Sequence, residues 1–181
     1  MKSKKTITVL VLIIAILSLI ASIMGIFSNG GTGAYTIESF RGEMVKIYGL
    51  GLYKIDSVSV AAQGIAQDIV TLLIGIPLLL ISLSLARKGQ LKGRLLLTGT
   101  LAYFLYTYIS YVFLWMYNPM FIVYVVLMSA SFFAFTIQML SFDVEKLKGS
   151  FNEKLPVKII GGFQIFLGCA LFFMWIGKII P

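Results

Sequence analysis

The stretch that decides the fold runs from Asp56 to Arg94 and reads DSVSVAAQGIAQDIVTLLIGIPLLLISLSLARKGQLKGR. It begins with serines that can cap a helix, continues as an apolar run broken by Gly75-Ile76-Pro77, and ends in four bases. Counted back from Arg87, Asp68 lies ~28 Å away along a helix, close to the ~30 Å hydrocarbon thickness of a bilayer. The stretch therefore predicts a transmembrane helix with Asp68 at one membrane boundary and Pro77 near its middle.

The composition indicates an integral membrane protein. Hydrophobic residues make up 59% of the chain and charged residues 12%, whereas about a quarter of the residues in a soluble domain are charged. Long apolar runs separate the charges, so the predicted fold class is all-α, a polytopic membrane helix bundle. The bases behind the net charge of +8 flank these runs, which predicts the lipid bilayer as the partner and not nucleic acid.

The apolar runs predict five transmembrane helices in a single membrane domain over residues 1–181. Their expected bounds are about 6–28, 60–86, 95–117, 120–142 and 159–177, with one structured outer loop over 29–59. A cleaved signal peptide is the alternative for the first run. We favour a membrane anchor, because the run is long for a signal core and SNGGTGA offers no good cleavage site.

The outer loop is predicted to hold a small β-hairpin. Residues 43–48 and 52–56 alternate between charged and apolar side chains and flank Gly49-Leu50-Gly51, so the glycines are expected at the turn. A short interfacial helix through residues 37–47 is the alternative that the sequence leaves open.

Small residues on the first helix predict a packing face. Ala15, Ser18, Ser22 and Gly25 recur at steps of three and four, which lets another helix approach closely. Faces of this kind also suit a homo-oligomer or a hetero-oligomer.

The third and fourth helices each have distinct faces. On the third, the hydroxyl face is expected to look inward and the aromatic face towards lipid or a neighbour. The hydroxyl face holds Thr100, Tyr103, Thr107 and Ser110, and the aromatic face holds Phe104, Tyr108, Tyr111 and Trp115. One face of the fourth helix carries Tyr124, Met128, Ser131, Phe135 and Gln138.

The distribution of bases predicts the orientation. With a cytoplasmic N-terminus and five spans, eleven of the fifteen Lys and Arg residues fall on the inner side. The positive-inside rule then predicts that the N-terminus lies inside and the C-terminus outside.

Two runs carry a resemblance to a known group. The first is RGEMVKIYGLGLYKIDSVSVAAQGIAQDIVTLLIGIPLLL, residues 41–80, and the second is LARKGQLKGRLLLTGTLAYFLYTY, residues 85–108. They resemble a group of uncharacterised prokaryotic multi-pass membrane proteins, and the match covers roughly residues 41–117. The resemblance implies a topology and brings no catalytic motif with it. Members of the group are longer, so it also implies a shortened member or a fragment. It further implies the cytoplasmic (inner) membrane of a prokaryote.

The candidate site lies at the outer end of the second helix. Acidic and amide side chains there could bind a cation or a polar solute at an outer mouth, and an ionisable residue that faces a bundle interior is a site hypothesis by default. The alternative is structural, with Asp68 hydrated or paired with Arg41, Lys46 or Lys54 to hold the loop on the bundle. The candidate binding residues are Gln63, Gln67, Asp68, Thr71, Glu43 and Asp56, with a helix kink expected at Gly75 and Pro77.

Residue usage argues against most catalytic chemistry. The chain has no histidine and one cysteine, Cys169, so the common zinc, haem and iron–sulfur sites lack ligands and a histidine-based triad is excluded. No nucleotide-binding or hydrolase motif is present. We therefore predict no cofactor, no metal site and no catalytic residue, and favour a non-enzymatic role. Solute binding or transport near Asp68 is one hypothesis, and a scaffold or partner subunit of a membrane complex is the other; an intramembrane enzyme would need an acid pair such as Glu43 with Asp68.

Overall fold

A computed structural model of the chain describes residues 2–152 and 155–179. Lys154, one of the bases counted for the orientation, lies outside the described residues. Among the described residues, five helices are long and apolar enough to cross a membrane, which confirms the predicted all-α bundle class. Helices α1 to α7 are Lys2–Phe27, Val58–Val70, Ile76–Arg87, Leu91–Phe113, Phe121–Leu140, Val144–Lys148 and Val157–Ile179.

The second span consists of α2, a π-helical turn over Thr71–Gly75, and α3. The Ser57 hydroxyl accepts a hydrogen bond from the N–H of Val60 at 3.4 Å, and so caps α2 as predicted. The kink expected at Gly75 and Pro77 stays a prediction, and the structure shows this π turn directly before α3. Proline lacks an N–H, and a wide turn directly before it is a recognised way to bend a helix without breaking its path.

The first compact unit, Met1–Ser141, is a bundle of four spans. Helix α1 contacts α5 and the second span, and α4 contacts α3 and α5. The small face of α1 is buried, with Ser18 and Ser22 fully enclosed, which confirms the predicted packing face. That face is thus occupied within the unit.

The aromatic face of α4 lies in the core of this bundle. Phe104, Tyr108 and Tyr111 are at most 2% exposed, and the Tyr108 ring stacks on Tyr124 of α5 with 6.1 Å between centroids. Of the two expectations for this face, the neighbouring helix is right and lipid is wrong. Thr100 and Thr107 are buried as well, because α4 touches helices on two sides.

Residues 28–57 join α1 to α2 and form what we call the 28–57 segment. It contains an antiparallel hairpin, β1 over Tyr35–Glu38 and β2 over Met44–Ile47, in which Tyr35 pairs with Ile47. A hairpin is present and the open alternative of an interfacial helix through residues 37–47 is excluded. The predicted pairing of residues 43–48 with 52–56 is wrong, because β2 pairs with β1 and residues 52–56 form turns and not a strand.

The predicted position of the hairpin turn is wrong. The chain turns between Glu38 and Met44, and Gly49 and Gly51 instead have positive φ and pack the chain back on itself. The carbonyl of Gly49 accepts from the N–H of Gly33 at 3.1 Å, and a Cβ on Gly49 would lie 1.8 Å from the Gly33 carbonyl oxygen. These glycines therefore serve a close backbone contact.

The second compact unit, Phe142–Pro181, holds α6 and α7. Asp143 caps α6, because its side chain accepts a hydrogen bond from the backbone N–H of Lys146 at 3.3 Å. A 3.2 Å salt bridge also joins the side chains of these two residues. Helix α7 is the fifth candidate span.

Glycine at position 93 is expected to be required for the turn between α3 and α4. An added Cβ there would lie 2.4 Å from the Cβ of Leu85 and 2.5 Å from the nitrogen of Ala86. We expect Gly93→Ala to lower the free energy of unfolding by about 1–3 kcal/mol, since the end of α3 must move. Gly99→Ala is the matched control, because a Cβ there meets nothing within 4 Å. Thermal unfolding of the purified proteins compares them, and equal unfolding temperatures would contradict this packing.

Candidate functional site

Asp68 is the centre of the buried polar network. It lies on α2 and is 2% exposed. Its Oδ2 accepts a hydrogen bond from the Tyr53 hydroxyl at 2.5 Å, and its Oδ1 accepts from the Tyr111 hydroxyl at 3.1 Å. The predicted pairing of Asp68 with Arg41, Lys46 or Lys54 is therefore wrong within the described residues, because two phenols occupy the carboxyl oxygens. The predicted consequence, a hold on the loop, is nevertheless present through Tyr53.

Glycine at position 25 makes room for this carboxyl group. An added Cβ on Gly25 would lie 1.8 Å from Asp68 Oδ2 and 3.0 Å from the Tyr53 hydroxyl oxygen. The absence of a side chain at Gly25 thus lets α1 approach α2 at this point. The small face of α1 therefore makes room for the Asp68 carboxyl group as well as for the packing of α1 against α2.

Tyr111 links the network to the backbone of α2. Its hydroxyl lies 3.0 Å from the carbonyl oxygen of Gly64 as well as 3.1 Å from Asp68 Oδ1, so one phenol hydrogen serves two acceptors. Gly64 is itself tightly enclosed, since a Cβ there would lie 2.9 Å from Nε1 of Trp115. This end of the bundle is consequently closed by aromatic rings around the acid.

A second polar cluster adjoins Asp68, since Gln67 directly precedes it and Thr71 follows about one turn later. The Gln67 amide donates to the Tyr103 hydroxyl at 2.8 Å and to Thr107 Oγ1 at 3.1 Å. Thr71 Oγ1 lies 2.8 Å from the same Tyr103 hydroxyl. These contacts fasten the second span to α4 directly before the π turn, where the ordinary backbone pattern changes.

Asp56 makes a separate contact at the end of the 28–57 segment. It is 1% exposed, and its Oδ1 accepts from the N–H of Met116 at 3.0 Å. Its Oδ2 is buried and has no hydrogen-bond partner among the described residues. Burial raises the pKa of this carboxyl group above its usual value of 3.8, and the Met116 N–H opposes that rise.

Gln63 and Glu43 do not join these clusters. Both side chains are exposed, and neither forms a hydrogen bond or salt bridge within the part of the chain that the structure describes. The structure thus brings Gln67, Asp68 and Thr71 into one buried region, while Asp56 ties the segment to the chain after α4. Ligand binding by these residues stays a prediction.

Tyr53 and Tyr111 are the site residues that sequence reasoning missed. Tyr111 was assigned to an aromatic packing face, where its hydroxyl carried no separate signal. Burial also raises the pKa of Tyr53 far above the usual range for a phenol, so this residue acts as a hydrogen-bond donor and not as an anion. In the sequence, the one indication of a role for Tyr53 was its position in a polar segment that comes shortly before a transmembrane acid.

The described residues include no cluster of three or more His, Cys, Asp or Glu side chains that could hold a metal ion. No family model matches the chain, and neither a curated protein nor a solved structure is significantly similar to it. The resemblance to prokaryotic multi-pass proteins therefore stays a prediction, and any functional argument depends on the geometry.

The Asp56 environment predicts a pH dependence of stability. Burial raises the pKa of Asp56 in the folded state above the unfolded-state value of 3.8. Below pH 3.8 the carboxyl group is protonated in both states and does not lower the free energy of unfolding. The free energy of unfolding then falls as the pH rises through the folded-state pKa. Asp56→Asn cannot ionise and keeps an oxygen for the Met116 N–H. We expect the variant to lose this part of the pH dependence and to be at least as stable as wild type at pH 7. Thermal unfolding between pH 4 and pH 8 measures it, and identical pH profiles would contradict the assignment.

Proposed function

We propose that the protein is a non-catalytic subunit of a membrane assembly, in which the helical bundle holds the 28–57 segment in a fixed shape for a partner protein. The observation that carries this proposal is the occupation of both Asp68 oxygens by tyrosine hydroxyls, one from the segment and one from α4. A solute could reach the carboxyl group only by displacing Tyr53. The acid therefore serves better as an anchor than as an open binding mouth.

Further contacts support a fixed shape for the segment. The Ser28 hydroxyl accepts from the N–H of Leu52 at 2.7 Å, and Ile47 forms a β-bridge with Ser57. With the Asp56 contact to Met116, these bonds hold the segment at its start, middle and end. A loop that only connected two helices would not need this many contacts to fix its shape.

The hairpin exposes large apolar side chains that suit protein contact. Phe40 is 95% exposed and Met44 is 69% exposed, near or at the end of the hairpin. Tyr35 and Ile37 are also exposed. Aromatic residues and methionine are enriched at protein interfaces, which favours a protein partner for this surface.

The proposed assembly lies in the cytoplasmic membrane of a prokaryote, with the N-terminus inside and the C-terminus outside. The excess of bases on the predicted inner segments supports this orientation. The 28–57 segment would then face the outside, where a partner domain could reach the hairpin.

Solute binding or transport at the same end is the second candidate. It is favoured by buried oxygens that lack a partner among the described residues, namely Asp56 Oδ2 and the Tyr124 hydroxyl. Unpaired buried oxygens of this kind could ligate a cation or a polar solute.

Photo-crosslinking in intact cells tests the proposal. A photoreactive phenylalanine analogue at Phe40 is expected to give one discrete product, and the same probe at Lys54, which is exposed and lies outside the hairpin, is expected to give much less. Adding Tyr53→Phe should reduce the Phe40 product at least about fivefold, because loss of one hydrogen bond to the acid costs about 1–3 kcal/mol of anchoring. Tyr106→Phe is the matched control, since Tyr106 is 73% exposed.

The competing outcome is also defined. Absence of a Phe40 product, together with solute uptake by reconstituted liposomes that Asp68→Asn abolishes, would contradict the scaffold role and establish the solute site.

A further inference from the structure

A cleft lined by basic residues lies at the opposite end of the four-span unit, and we call it the basic cleft. It has a volume of about 390 Å³ and lies where α1 begins, α3 ends, α4 begins and α5 ends. Lys4, Arg87 and Arg94 line it, together with Thr8, Gln138 and Ser141. A volume of this size is within the usual range for a small-ligand site.

The basic cleft brings three basic side chains together at one end of the unit. Within the described residues, no carboxylate lies within salt-bridge distance of Lys4 or Arg87. Arg94 donates to the Ser141 carbonyl at 2.7 Å and to its hydroxyl at 3.1 Å, which fixes the guanidinium beside the end of α5. The sequence contains no Asp or Glu between residues 69 and 142, so α3, α4 and α5 bring no acid to the cleft.

Gln138 is the second, independent observation. It is 3% exposed, it lines the basic cleft, and its amide nitrogen has no hydrogen-bond partner among the described residues. Leaving a buried amide donor unpaired costs about 1–3 kcal/mol, so a ligand that accepts a hydrogen bond there would remove the penalty. Three cations and an unpaired amide donor suit a phosphate group.

The walls of the basic cleft decide the source of that phosphate. Ile7, Leu83 and Leu97 form its apolar side, so the cleft borders the bases on one side and the apolar bundle on the other. A shallow groove continues from it along Lys4, Thr8 and the exposed Val9 of α1. The cleft thus lies where spans end, at the level expected for lipid headgroups, and a chain-bearing ligand could lie along the groove.

We infer that the basic cleft binds the phosphate of an anionic phospholipid through Lys4, Arg87, Arg94 and Gln138. The acyl chains lie against the adjacent apolar surface of α1. Arg94 and Ser141 place the site against the end of α5, so lipid binding also fastens α5 to α3 and α4 at this end of the unit.

Native mass spectrometry of the full chain tests the site. The protein is released from nanodiscs that contain phosphatidylglycerol and phosphatidylcholine in equal amounts, and the bound lipids are counted. We expect wild type to retain phosphatidylglycerol, and Lys4→Gln with Arg87→Gln to retain it about twenty-five-fold less, since each base near an anionic lipid contributes about a fivefold effect. Lys88→Gln with Lys92→Gln removes the same amount of charge at this end of the unit, from residues that do not line the cleft, and should change retention less than about twofold.

A second variant tests the buried amide donor of Gln138. Gln138→Met keeps the size of the side chain and removes the amide, and we expect roughly fivefold weaker retention. Circular dichroism of each variant confirms that it is folded. Equal losses in the two double variants, or no loss in a folded Gln138→Met protein, would overturn the site. Displacement of the lipid by millimolar inorganic phosphate would overturn the lipid as its ligand and assign the cleft to a free anion.

Discussion

The hydrogen bond between Tyr53 and Asp68 is the constraint on which the rest of this structure depends. A carboxyl group taken out of water inside an apolar bundle is costly unless its oxygens are paired. Tyr53 and Tyr111 pair them, and Gly25 leaves the space that the group needs. The requirement to satisfy one acid thereby fixes the approach of α1 to α2, the inward aromatic face of α4 and the position of the 28–57 segment.

The two ends of the four-span unit have opposite chemistry. At one end two buried acids, Asp68 and Asp56, meet phenols and a backbone N–H, and no base is among their hydrogen-bond partners. At the other end Lys4, Arg87 and Arg94 surround a cleft to which the neighbouring helices bring no acid. At the first end, hydroxyl and N–H groups of the protein bind three of the four carboxyl oxygens of these two acids. At the second end, no carboxylate of the described residues lies within salt-bridge distance of Lys4 or Arg87. This contrast is why a rigid anchor is proposed for one end and an anionic ligand for the other.

The apolar runs were enough to predict the spans, because burial in a bilayer needs length and hydrophobicity that are visible locally. The Ser57 cap and the small face of α1 were predictable too, because each depends on residues that lie close together in the sequence. The site was not, since Tyr53 reaches Asp68 through a fold of the chain that no spacing encodes. The glycines at 49 and 51 were assigned to a hairpin turn although they allow a close backbone contact with Gly33 and Ser28. Local patterns thus gave the elements, and tertiary contacts decided the chemistry.

Hydrogen exchange of the 28–57 segment tests the anchor most directly. The amides of Tyr48, Gly49 and Leu52 donate hydrogen bonds within the segment, so their exchange reports whether it is held. We predict that Asp68→Ala speeds their exchange at least about tenfold, because the Tyr53 hydroxyl loses its acceptor whereas Tyr111 keeps the Gly64 carbonyl. Gln63→Ala, an exposed change on the same helix, should leave it unchanged. Equal exchange in wild type and Asp68→Ala would contradict the account.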